Sequence, residues 1–426
     1  SPGLIGSQCG GAATSSCVAT ETRDASGDFY LNGNVFRLPA GSVTAALRTG
    51  FVFSGIHSVS STQSTIDRSR DEGSVQANVE FPITSHDSPI GKFSAGVNGE
   101  VQSVTAFGTL TTLGSTVDWS PIEPVTFMAS YSRAQQAPTL MQLDEALLDT
   151  PDLREYDFVN DTTAIVQRTE GGDPALRRSV SRIADFRVQL TPLRATNLQL
   201  SAEYTIEHTR NPVVSVTAAT AATEAAFPDR FSFASGFLSG IDVTPLNLAQ
   251  RDQQQLRWGL NYTTNYGRAW PVANSSTGKP KAPVRSQLQV AFYHTWRFQD
   301  DVVLRNGLPA LDLLDHDIIS DRGGTPAHEL ELQATVSTHA WSADINAKWD
   351  SPTRASAGPG GDDRLTFSQG VTLNVRFQLN LAEQHWLSHL LPFVHGTLNL
   401  SMDNVLGAHL TVRNSNGGVP ASYAEN

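Results

Sequence analysis

The stretch AWSADINAKWDS at 340–351 alternates without a break. Trp341, Ala343, Ile345, Ala347 and Trp349 share one register, and Ser342, Asp344, Asn346, Lys348 and Asp350 the other. Successive side chains of a strand point to opposite faces, so this period reads as a strand with two unlike faces. A half-buried strand of a soluble sheet carries Val, Leu and Phe along its core face. Here a thin apolar stripe is bracketed by two tryptophans, and the environment that suits such a stripe decides the fold.

The same period recurs along the chain. It is clear in 74–83, 184–190, 197–207 and 371–381, and weaker in 28–37, 42–58, 93–106, 109–119, 125–133, 254–265, 285–298, 328–338 and 394–405. Together these predict about 14 strands. Helical patterning is confined to 140–148 and 382–391, and the opening residues SPGLIGSQCGG read as loop. No Pro-rich linker divides the chain, so one domain over 1–426 is expected.

Composition narrows the class. Among 426 residues, 17% are charged and 39% hydrophobic, with a net charge of −12. That is lean in both charge and aliphatic bulk for a soluble globule, and polar neutral residues fill the gap. No Lys/Arg stripe is present to neutralise phosphates, which argues against nucleic acid. No apolar run is long enough for a membrane-spanning helix. Cys9 and Cys17 are the two cysteines, in CGGAATSSC. Closure into a local disulfide fits an oxidising compartment such as periplasm or cell surface. Two unpaired thiols are the alternative, and metal binding is disfavoured because no further Cys or His lies nearby.

The connections alternate in length. Turns at 38–41, 120–124 and 191–196 are short, whereas 135–177, 210–251, 299–325 and 406–426 are long; 266–284 and 381–393 are longer than the short end prefers. Alternation of short and long connections is the pattern of an outer-membrane barrel. A sandwich would need large aliphatics to fill a core about 10 Å thick, whereas lipid makes no such demand and places Trp and Tyr at its two surfaces. Trp341 and Trp349 are about 26 Å apart along the strand at ~3.3 Å per residue. Tyr204, Trp258, Tyr262 and Trp296 fall on the same outward register. Glu80, Asp185, Arg187, Glu203, Asp344, Lys348 and Arg376 sit mid-strand on the polar register, where unpaired charge in hydrocarbon would be costly. That face must be wet, which an aqueous barrel interior provides. The expected fold is therefore all-β, an antiparallel transmembrane β-barrel with long extracellular loops.

Several stretches carry a further signal. YSRAQQAPTLMQLDE at 131–145 matches a "Y-S-x-x-x-R-A-P-(S/T)-L-x-x-L" run at Tyr131, Ser132, Ala137, Pro138, Thr139, Leu140 and Leu143, with Gln136 in place of the usual Arg. GGDPALRRSVSR at 171–182 follows a "G-N-P-x-L-x-P-E-x-S" run through Asp173 and Pro174, with Arg177–Arg178 where Pro-Glu is usual. The hairpin at 107–132 and the run LNLSMDNVLG at 398–407, with Asp403 and Asn404, complete the set. In this order the stretches resemble the TonB-dependent outer-membrane receptors. The resemblance implies a barrel of about 22 strands in the intact protein, of which this chain would be the 8th to the 21st. The N-terminal plug, the first strands and the last strand would then be missing from it. It implies no cofactor and no covalent chemistry. The implied partners are TonB (through the missing plug segment), outer-membrane lipid, and a small-molecule or metal-chelate ligand at the extracellular loops.

Nucleophile elbows, phosphate-binding glycine loops, HExxH and CxxC pairs are absent from the sequence, so no catalytic residues are expected. The run LDLLDHD at 311–317 places Asp312, Asp315, His316 and Asp317 in a long connection. They could contact a ligand or cation, or be a solvated acidic loop. The inward charges have two readings, a wall that hydrogen-bonds the plug or a solute path; the resemblance favours the first. The expected function is TonB-energised uptake of a bulky, scarce solute such as a ferric siderophore, cobalamin or glycan. A passive porin-like channel is the alternative, and a secreted β-rich enzyme or adhesin has no site to support it.

Overall fold

The computed structural model describes residues 2–9, 17–60, 65–192, 197–270, 284–384 and 396–424. Fifteen strands follow one another in a single antiparallel wall, each paired with its predecessor. They are β1 (Pro2–Cys9), β2 (Cys17–Leu38), β3 (Gly41–Ser60), β4 (Thr65–Thr84), β5 (Lys92–Val104), β6 (Gly108–Ile122) and β7 (Val125–Gln136). Then come β8 (Ser179–Leu190), β9 (Asn197–Arg210), β10 (Gln250–Trp270) and β11 (Val284–Val303). The last four are β12 (His328–Ser337), β13 (Trp341–Asp350), β14 (Gly370–Asn380) and β15 (Thr397–Met402). Every predicted strand is present. The opening residues, expected as loop, form β1, and Cys9 is the backbone register partner of Cys17 at the start of β2; the side chains of both lie outside the described residues.

The register keeps one set of side chains on one face across the whole wall. From Trp349 it runs through Leu330, His294, Trp258, Ala202, Val188, Phe127, Trp119 and Phe93. A one-residue slip anywhere would turn a strand's apolar set to the other face. The turns that hold this register are local. Thr338 accepts from the backbone N–H of Trp341 at 3.0 Å and of Ala340 at 3.2 Å, closing the β12–β13 hairpin.

Strand ends alternate strictly between two rims. Turns such as 38–41 and 338–340 close one rim, and the long connections, with the short turn at 105–107, close the other. Those long connections fold into an assembly of their own. A four-stranded sheet joins Leu148–Asp157, Thr162–Glu170, Phe231–Ala234 and Phe237–Asp242. A second joins Thr353–Ala357, Asp363–Phe367 and Val412–Arg413. Two apolar cores hold them. One gathers Val166, Phe227, Ile241, Leu248, Val302 and Leu304, the other Phe158, Ala218, Ile318, Leu365 and Phe367. The helix expected over 140–148 is α1 (Leu140–Asp144), followed by strand. A 3-10 turn spans Leu381–Glu383, and 385–391 of the second expected helix lies outside the described residues.

Between the rims the wall has no such core. Val97 is 52% exposed, Leu113 60%, Phe186 52% and Trp258 44%, so the apolar face is uncovered along its length. Among the described residues β1 pairs only with β2 and β15 only with β14, so the two ends of the wall do not meet.

Candidate functional site

Three surfaces are candidates: the apolar face, the polar face opposite it, and the loop assembly. On the first, Tyr204, Trp258, Tyr262, Trp296, Trp341 and Trp349 all share the apolar register. Trp341 opens β13 at the short-turn rim and lies 6.1 Å from Phe377, ring to ring. Trp349 stands next to last, at the loop rim, and its indole N–H donates to Gln369 Oε1 at 3.1 Å. At that same rim Trp296 packs on Phe298 at 4.4 Å, and Tyr204 donates its hydroxyl to Gln254 Oε1 at 2.5 Å. Trp349 and Tyr204 thus each have an apolar body and a polar tip bonded at the loop rim, the arrangement that suits an apolar–water boundary.

The polar face is laced with pairs. Arg187 meets Glu203 at 2.7 Å, Arg257 meets Glu331 at 2.7 Å, and Arg297 meets Glu329 at 2.9 Å. Lys348 lies 3.4 Å from Glu329 and 3.5 Å from Asp350. Asp185 accepts from Thr205 Oγ1 at 2.8 Å and Ser130 Oγ at 3.2 Å, and Asp344 from Thr335 Oγ1 at 2.7 Å, with Arg376 its register partner on β14. Glu80 joins Tyr30, Asn32, Asn34, Asn78, Asn98 and Asp118 around a concavity of about 670 Å3.

The family-like runs occupy the rim where β7 leaves the wall. Tyr131 and Ser132 are in β7, and Ala137 follows its end. Pro138 is buried, and its carbonyl accepts from Arg70 Nη1 at 2.6 Å. Thr139 caps α1 through a reciprocal bond with Gln142, which sets Leu140 in the first turn and buries Leu143. Asp173 accepts from the Ala175 N–H at 2.8 Å and pairs with Arg230 at 3.1 Å, while Pro174 is exposed. Asn404 takes a left-handed φ of 48° and bonds Ala408 on both its amide atoms, just after Asp403. Of these, Pro138 ties the loop to β4 through Arg70, and Asp173 ties one loop segment to another through Arg230.

Asp312, Asp315, His316 and Asp317 lie in the turn after the short strand Ala310–Asp312. Asp312 Oδ1 accepts from the Leu314 N–H at 2.9 Å, Asp317 Oδ2 accepts from the Asp312 N–H at 3.0 Å, and His316 pairs with Asp315. Burial pushes the Asp317 carboxyl above its usual range, against the pull of that backbone N–H. Asp312 and Asp317 therefore hold their own turn, Asp315 and His316 meet each other, and no group of three or more His, Cys, Asp or Glu suited to a metal ion occurs among the described residues. What sequence reasoning missed is the loop assembly itself, including Glu224 on α2 (Ala221–Ala226), which burial and the Asp157 carboxylate push up to about 7.

The fold is shared with known receptors. The wall and loops superpose on a ferric enterobactin receptor variant of Pseudomonas aeruginosa with a TM-score of 0.52, at 13% identity over 92% of this chain and 49% of that one. The siderophore receptor PirA of Acinetobacter baumannii gives a TM-score of 0.51, at 11% identity over 97% of this chain and 54% of the receptor. The chain thus spans about half the length of either. No family model and no curated protein sequence matches it. The similarity is one of fold: a large antiparallel β-barrel wall of the siderophore-receptor kind. These neighbours are receptors rather than enzymes.

Proposed function

We propose that this chain is the barrel wall of an outer-membrane receptor in a Gram-negative cell. It serves TonB-energised uptake of a bulky, scarce solute such as a ferric siderophore, cobalamin or glycan. The observation that carries this reading is the uncovered apolar face. Across fifteen strands it is backed by a face rich in ion pairs, and the two larger buried cores among the described residues lie in the loop assembly. Water would penalise that face and lipid favours it.

On this reading lipid meets Trp341 and Trp349 near its two surfaces. The loop assembly is extracellular and contacts the solute. The polar face hydrogen-bonds a plug supplied by sequence outside this chain, and TonB acts through that plug. The whole of 1–426 is one barrel domain. The fold shared with siderophore receptors supports the class. A passive channel made by this chain alone would need β1 and β15 to pair, and among the described residues they do not.

The test is uptake of labelled ferric siderophores into liposomes carrying the intact receptor, with and without energised TonB. Uptake only with TonB is expected. Equal flux in its absence sinks the energised reading in favour of a pore.

A further inference from the structure

At the loop rim, where β8, β9, β10 and β11 meet the loop assembly, lies a cleft of about 500 Å3. Its floor is Phe227, Leu246, Leu248 and Leu304, all part of the larger loop core. Arg177, Arg230 and Arg305 line it against a single carboxylate, Asp229. Four other concavities among the described residues show no such excess. One has Glu80 and Asp118, another Asp317, a third Asp350 with Arg322, and a fourth Glu145 and Glu170 with Arg168. In a chain of net charge −12, three guanidinium groups gather in this one cleft, and the two carboxylates that meet Arg230 lie outside its lining.

The three arginines differ in role. Arg230 is structural: it pairs with Asp173 at 3.1 Å and Asp242 at 3.0 Å, and reaches the Thr244 carbonyl at 3.2 Å. Arg305 lies over the Phe227 ring, 4.8 Å from its centroid, and is 3.8 Å from Asp229, with both charged side chains more than half exposed. Arg177 is exposed, and its side chain makes no hydrogen bond or ion pair among the described residues. Its backbone, however, is pinned on both sides. The N–H donates to Asn247 Oδ1 at 2.7 Å, and the carbonyl accepts from Asn247 Nδ2 at 3.0 Å. Two guanidinium groups are therefore presented from anchored positions with donors to spare. One of them sits in the Arg177–Arg178 pair that departs from the family-like run.

We propose that this cleft binds an anion bearing phosphate or carboxylate groups, gripped by Arg177 and Arg305 over the apolar floor. The planar guanidinium fork matches the paired oxygens of either group. Asp229 is the counterweight that weakens the grip. The anion is a soluble molecule or the headgroup of a lipid at the rim, and the site does not depend on the transport reading.

The test uses the full chain in uncharged detergent, titrated calorimetrically with inorganic pyrophosphate, and the same chain in flotation with vesicles of phosphatidylcholine alone or with phosphatidylglycerol added. The double variant Arg177→Gln/Arg305→Gln should weaken binding about 10-fold or more in at least one arm. Asp229→Asn should tighten binding in that same arm, and added salt should weaken it. An effect on pyrophosphate assigns a soluble anion; an effect confined to phosphatidylglycerol vesicles assigns a headgroup. Asp229→Asn keeps both arginines, so a folding defect of the double variant does not decide the outcome. If the wild type binds neither probe, or if both variants bind as the wild type does, the proposal is overturned.

Discussion

Arg251 and Asp300 form a two-pronged ion pair where β10 and β11 enter the loop assembly: Nε to Oδ1 and Nη2 to Oδ2, each 2.7 Å. The Asp300 side chain is fully buried and also accepts from Thr325 Oγ1 at 2.6 Å. Its own carbonyl takes the Leu313 N–H at 3.0 Å. One carboxylate thus ties two wall strands to the connection that follows them. Removing Arg251 leaves the buried Asp300 carboxylate without its cation, which costs about 3–5 kcal/mol, whereas Arg251 itself is partly exposed. Arg251→Met should lower stability by that order in a denaturant titration of the micellar protein. Arg251→Met/Asp300→Leu should cost less than the sum of the single changes. Additive losses would show that the pair is not coupled.

Ile345 and Asn346 are neighbours in β13 on opposite faces. Ile345 lies midway between the two tryptophans and is 40% exposed, and Asn346 faces Asn374 and Gln333. If lipid covers the apolar face, Ile345→Arg should cost about 2–4 kcal/mol on folding into vesicles. Asn346→Arg on the wet face should change stability by less than about 0.5 kcal/mol. Equal costs for the two would remove the basis for assigning the faces.

Gly259 on β10 sits beneath the Tyr293 ring of β11. A Cβ there would stand 2.2 Å from the Phe292 carbonyl and 2.5 Å from Tyr293 Cδ1. Tyr293 in turn carries Arg257 over its face at 4.5 Å and donates to Asn261 Oδ1 at 2.8 Å. Gly259→Val should therefore cost about 1–3 kcal/mol through overpacking. Tyr293→Ala in the same chain relieves the ring contact but not the carbonyl one, so the double variant should recover only part of the loss in the same titration. A fully tolerated Gly259→Val would contradict the close approach.

The wall was legible because each strand has two unlike surroundings, and alternation is the direct imprint of that on sequence. Strand β13 is the clearest case, and its partners repeat the pattern. The loop assembly was not legible, for an equally physical reason. Its strands are two to ten residues long, and their apolar residues meet partners far along the chain: Phe158 packs with Ala218, Ile318 and Phe367. No local period records such contacts. Arg177–Arg178 was visible as a departure from a familiar run. That Arg305 and Arg230 share its cleft depends on where four strands end. The acidic run at 311–317 was conspicuous in sequence, yet Asp312 and Asp317 bond the backbone of their own turn and Asp315 pairs with His316.

Glu224 makes the loop assembly sensitive to pH. It lies in the first turn of α2, which Thr220 caps, and its Oε1 is buried without a hydrogen-bond partner. Burial, with the nearby Asp157 carboxylate adding to it, raises its pKa from 4.5 to about 7. Between those values the folded protein holds a proton that the unfolded chain has released. The stability this group contributes is therefore fully present below about pH 4.5 and is lost as pH rises through about 7. Allowing for partial solvent screening, the loss is on the order of 2 kcal/mol. Amides of segment 216–230 should exchange faster at pH 8 than at pH 5, after correction for the intrinsic rate. Glu224→Gln should remove most of that difference and slow exchange at pH 8. An unchanged difference in the variant would show that another group sets the pH response.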